Sequence, residues 1–71
     1  MNPMDCLFVV VKNDGGNRPL YFKCVPQLAM TEKEVLYKIN SIFVEQYTSI
    51  EEFKFIEEIP YGVIPFNWEM Q

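Results

Sequence analysis

The chain has 71 residues, ten acidic and six basic, giving a net charge of −4, and no histidine. The missing histidine removes the commonest general base and the commonest metal ligand together. A chain this short buries only about 60% of the surface it exposes when unfolded, so we expect one small domain over residues 1–71, with a thin core and little room for a cleft.

Lys12, Arg18, Lys23, Lys33, Lys38 and Lys54 are scattered with no two adjacent. Phosphate neutralisation needs clustered cations, so direct nucleic-acid binding is not expected. Cys6 and Cys24 are the only cysteines and lack zinc-type spacing. They fall on neighbouring predicted strands, which leaves a disulfide open, but two thiols in a reducing cytoplasm is the expectation. Residues 1–5 lack the basic start of a signal peptide, and the apolar run 7–11 is too short for its core. No apolar stretch approaches the ~20 residues of a membrane span, so a cytoplasmic protein with no membrane partner is expected.

The first predicted element is a strand over 6–12, rich in β-branched residues. It puts Leu7, Val9 and Val11 on one face and Phe8 and Val10 on the other. Apolar residues on both faces mark a central strand, or one whose outer face meets another subunit. Asn13-Asp14-Gly15-Gly16-Asn17 follows as a hairpin turn, with glycines for the positive φ such turns require. A glycine pair can also cradle phosphate at a helix N-terminus, but residues 20–25 alternate as a strand. That alternation sets Leu20, Phe22 and Cys24 opposite Tyr21, Lys23 and Val25.

Thr31-Glu32-Lys33-Glu34 has the form of a capping box. Behind it Val35, Leu36, Ile39, Ile42, Phe43 and Tyr47 recur at helical spacing, predicting an amphipathic helix that lies on the sheet. Tyr37 and Val44 fall off the centre of that stripe, so that one or both are expected to flank the buried face. Residues 49–58 fit a second capped helix or a strand. The alternation of Phe53-Lys54-Phe55 favours a strand over 53–59. Pro60-Tyr61-Gly62 then forms a turn, and 62–68 is a last extended segment, limited by Pro65 to an edge or a strand end. The expected fold is α+β: an antiparallel sheet of three to four strands in the order ββαβ, with an optional fourth strand and the helix on one face.

Catalytic tools are few. Ser41 and Ser49 sit in no nucleophile turn, and the cysteines have no histidine partner. Paired carboxylates such as Asp5 with Glu69, or Glu57 with Glu58, would need a cleft. We expect no enzyme activity, no cofactor and no metal. Aromatic residues are the other resource: one Trp, four Tyr and six Phe. Phe8, Phe22, Phe43, Phe53 and Phe55 are expected in the core, which leaves Tyr and Trp for contact surface, where they are enriched at hot spots.

Tyr61, Phe66 and Trp68 are therefore the expected aromatic centre of a protein-binding face, with Glu57, Glu58 and Glu69 as its acidic rim. The alternative for this tail is that Trp68 folds back and plugs the open end of the core. Tyr21-Phe22-Lys23 does not make an RNA-recognition sheet, since that motif's aromatic run and second helix are absent. In size and composition the chain resembles the short acidic reading frames of phages and mobile elements, with no shared motif. The expected function is that of a small acidic regulator or inhibitor that blocks a larger protein. The alternatives are a homo-oligomer holding a nucleotide or metabolite between subunits, or a subunit of a larger assembly.

Overall fold

The computed structural model describes residues 6–26 and 31–69. Its elements run β1 (Cys6–Asn13), β2 (Gly16–Lys23), α1 (Glu32–Ile42), β3 (Ser49–Ile56) and β4 (Phe66–Asn67). The sheet has four strands in the order β3-β1-β2-β4. β1 pairs antiparallel with both β2 and β3, whereas β4 runs parallel to β2. The α+β class and the single helix are as the sequence predicts. The sheet is mixed, not purely antiparallel, because the chain crosses from the β3 edge and reaches β2 from the opposite side. Among the described residues no helix is long and apolar enough to cross a membrane.

The central position of β1 explains its apolar sequence. Leu7, Val9 and Val11 are fully buried and meet Leu20 and Phe22 of β2 on the face that α1 covers. Phe8 and Val10 point to the other face and are half-buried. Phe8 therefore leaves the predicted core set. It stacks on Tyr21, its cross-strand neighbour, with ring centroids 4.8 Å apart. At the hairpin, Asp14 and Gly15 form the turn and positive φ falls at Gly16 (112°). The Asn13 side chain fixes the turn by accepting the Gly15 N–H at 2.8 Å.

The alternation predicted past β2 breaks at Cys24. Its φ of 63° is left-handed and turns its side chain outward, while Val25, next in line, is buried. One residue in the left-handed region shifts the phase of everything after it. Cys6 and Cys24 form no disulfide.

Thr31 caps α1 as its sequence predicts. Its hydroxyl accepts the Glu34 N–H at 3.2 Å, and the Glu34 carboxylate accepts the Thr31 N–H at 2.9 Å. A cap of this kind contributes ~1 kcal/mol. Glu32 and Glu34 in the first turn also suit the positive end of the helix dipole. Val35 and Ile39 are fully buried, with Leu36, Ile42 and Phe43 packed at the margin. Tyr37 and Val44 are 79% and 95% exposed, so neither flanks the buried face.

The helix stops at Ile42, one turn short of the apolar periodicity that runs on to Tyr47. Phe43 is already extended, with φ −101° and ψ 150°. Side-chain amides take over from the backbone here. Gln46 Nε2 donates to the Asn40 carbonyl at 3.1 Å, while Asn40 accepts the Tyr47 N–H at 2.8 Å and donates to its carbonyl at 3.0 Å. Asn40 thus clamps both backbone groups of Tyr47, whose ring is buried in the core and whose hydroxyl accepts from Arg18 Nη1 at 3.0 Å.

β3 begins at Ser49, earlier than predicted, and ends at Ile56. Ile50 lies opposite Val11, and Phe53 and Phe55 lie opposite Val9 and Leu7, so all three share the helix-covered face. Even and odd positions reach one face only because a bulge at the Val10/Val11 junction absorbs a residue. That irregularity lets the two apolar phases of Ile50-Glu51-Glu52-Phe53-Lys54-Phe55 coexist in one strand.

Candidate functional site

The chain after β3 carries the predicted binding residues. Glu57 and Glu58 follow the strand and are exposed. Tyr61 and Gly62 form the predicted turn, closed by the Val63 N–H donating to the Pro60 carbonyl at 3.2 Å, with Gly62 at φ 85°. Positive φ at the third residue is what a type II turn requires, and only glycine adopts it without strain. From there the chain runs extended to β4.

The structure separates the six predicted residues. Tyr61 is completely exposed (105%) and has no ring partner among the described residues. Trp68 is 6% exposed and belongs to the core. Its ring meets Phe22 edge-on at 5.2 Å, Lys38 Nζ lies 5.5 Å from the ring centroid, and the Trp68 backbone N–H donates to the Lys23 carbonyl at 2.9 Å. Trp68 is therefore the plug that closes the open end of the core, and it is not available as an exposed anchor. Burial of so large a ring outweighs anything the short tail gains by staying in water.

Phe66 lies between these extremes. It is 39% exposed, with one side against Phe22 (5.7 Å) and Phe43 (5.0 Å). Glu69 is exposed at the far side of Trp68, its N–H donating to the Asn67 side chain at 3.0 Å.

The segment also exposes two residues that sequence reasoning missed: Ile64 at 89% and Val63 at 36%. The signal was legible in Tyr61-Gly62-Val63-Ile64-Pro65-Phe66, where an apolar run lacks the alternation that would bury half of it. Tyr61 and Ile64 are thus large apolar side chains held in water on a short loop. The loop is tied at both ends, by β3 pairing with β1 and by β4 pairing with β2.

The open face of the sheet is a second patch. Lys54 and Tyr21 both lie opposite Phe8 in the strand register, and Lys54 Nζ sits 5.7 Å from the Phe8 ring. The aliphatic stem of a lysine covers apolar surface in this way. Between α1 and the start of β3 runs a shallow groove of about 260 Å³, lined by Glu32, Lys33, Leu36, Ser49 and Ile50. That is smaller than a typical small-molecule site.

Among the described residues, reactive groups do not converge. Ser41 donates to the Lys38 carbonyl at 2.6 Å, and Ser49 donates to the Glu51 carboxylate at 2.9 Å at the exposed strand start. Among the described residues no group of His, Cys, Asp or Glu is arranged to hold a metal ion. Asp5, paired with Glu69 in the sequence reading, lies outside the described residues. The acidity of Glu34 moves with the helix cap. The Thr31 backbone N–H and then its hydroxyl hold the carboxyl below its ordinary range, a structural effect of the helix cap. The chain matches no protein-family model, and no curated protein or solved structure is similar to it.

Proposed function

We propose that this protein is a non-enzymatic binding module that regulates or blocks a larger protein through the loop at residues 57–66. The observation that carries the reading is the exposure of Tyr61 (105%) and Ile64 (89%) on a segment anchored at both ends. A tethered loop loses less entropy on binding than a free tail, so more of its contact energy becomes affinity. Tyr61, Ile64 and the exposed side of Phe66 supply the apolar centre, and Glu57 and Glu58 the charged rim. Trp68 supports the loop from below by holding β4 in place.

The partner that fits is a protein with an apolar cleft bordered by Lys or Arg, since complementary rim charge guides encounter and rejects wrong partners. A net charge of −4 favours such a partner.

The test compares capture by the immobilised full chain and by its Tyr61→Ala/Ile64→Ala variant. Both residues are in water, so the variant should melt within about 3 °C of the parent and retain less than about a tenth of the captured partner. Equal capture by the two chains would refute the loop as the binding surface.

A further inference from the structure

The free edge of the sheet carries an inference independent of the loop. β4 lies along β2 at one side of the sheet, but at the other side β3 pairs only with β1 among the described residues. Its eight residues contain no proline. One row of backbone N–H and C=O groups therefore faces outward, a template for another strand. The Glu52 side chain makes no ion pair or hydrogen bond within the described chain, where the one salt bridge joins Arg18 to Glu45. Phe53 and Phe55, in edge-to-face contact at 6.1 Å, remain half-buried along this edge.

We propose that β3 pairs antiparallel with β3 of a second copy about a two-fold axis through Phe53, doubling the four-stranded sheet. Symmetry and charge select this register. A two-fold axis perpendicular to the sheet keeps each side chain on its own face, so the axis must pass through a residue that faces itself. Centred on Glu51 or on Glu52, it sets a carboxylate opposite its own copy. Centred on Lys54, it opposes two ammonium groups. Like charges directly opposite are destabilising. Centred on Phe55 or Ile56, the axis leaves three residues or fewer of β3 to pair, since the strand ends at Ile56.

Centred on Phe53, every Glu52 faces a Lys54 of the second copy, and the reverse pair completes the symmetry. Phe53 meets itself on the helix-covered face, where it covers the exposed side of its neighbour's ring. The charge pattern Glu-Phe-Lys is thus self-complementary about its middle residue. The irregularity near Ile50 ends the regular ladder at Glu51, so the paired stretch spans 51–55. That short contact makes a weak, reversible dimer rather than an obligate one.

The experiment is sedimentation equilibrium of the full chain at concentrations up to about 1 mM, where weak pairing is measurable. The parent should show a mass that rises from monomer towards dimer. Glu52→Lys and Lys54→Glu each replace two attractive pairs with two repulsive ones, and each should weaken association by about tenfold or more. Mixing the two variants restores opposite charges across the two-fold, as does the double variant E52K/K54E, and both should recover dimer. All these positions are exposed, and matching circular dichroism spectra would show that the variants fold. A constant monomer mass for the parent would overturn the proposal. So would single variants that dimerise normally, a mixture that fails to recover, or a dimer insensitive to these charges but lost in Tyr61→Ala, which would place self-association on the loop.

Discussion

Trp68→Ala separates a plug from a contact surface most sharply. Trp68 is 6% exposed: Phe22 meets its ring edge-on, Lys38 lies across the ring face, and its backbone N–H donates to the Lys23 carbonyl. Truncation deletes the burial and leaves a cavity against Phe22, which for a buried tryptophan costs ~3–5 kcal/mol. The backbone bond survives, but β4 has only two residues, so the strand that Trp68 pins should fray with it. A domain of this length has a total stability of roughly 4–10 kcal/mol. The variant should therefore lose about half or more of its stability, and its melting temperature should fall by at least about 15 °C.

Far-ultraviolet circular dichroism against temperature measures this directly. Trp68 is the only tryptophan, so parent fluorescence supplies an independent check: emission should be blue-shifted in the dilute chain and shift red on unfolding. Trp68→Phe keeps an aromatic ring against Phe22 and should recover most of the loss. A melting temperature within about 3 °C of the parent for Trp68→Ala, together with solvent-like emission from the folded parent, would refute the packing argument.

Two further expectations test the local physics. Asn40→Ala leaves the partly buried N–H and C=O of Tyr47 without their side-chain partners, and should cost ~1–3 kcal/mol in chemical denaturation, against little for the exposed Ser41→Ala. Glu34, whose folded carboxyl titrates below its unfolded value, contributes stability that is complete above the unfolded value and is lost as pH falls through the folded one. Acid titration of melting temperature should therefore descend more steeply for the parent than for Glu34→Gln, and parallel curves would show that the cap does not titrate.

Much of the architecture is local and was readable as such. Thr31 and Glu34 meet because a helix brings residues three apart onto one edge, whatever surrounds it. The turn at Asp14-Gly15 and the positive φ of Gly16 and Gly62 follow from chain geometry that only glycine satisfies cheaply. Apolar residues on both faces of β1 point to a central strand, and β1 is central in the sheet, although the helix covers only one of those faces. The exposed run after Pro60 is likewise legible, because apolar residues without a period have no face to hide.

Tertiary structure decided what depends on residues distant in the chain. The apolar period of α1 runs through to Tyr47, yet the helix ends at Ile42 because the amides of Asn40 and Gln46 offer the backbone a competing set of partners. Both phases of β3 reach the core only through an irregularity in pairing that alternation alone does not reveal. Cys24 holds an uncommon left-handed backbone where the chain leaves β2, and so reverses which of Cys24 and Val25 is buried. Phe8 and Trp68 exchanged their expected places. A residue's hydrophobicity sets how strongly it seeks cover, but which surface is left to cover it depends on where the helix lies. Here α1 and β4 closed one face over Trp68 and left Phe8 on the other, against Tyr21 and Lys54.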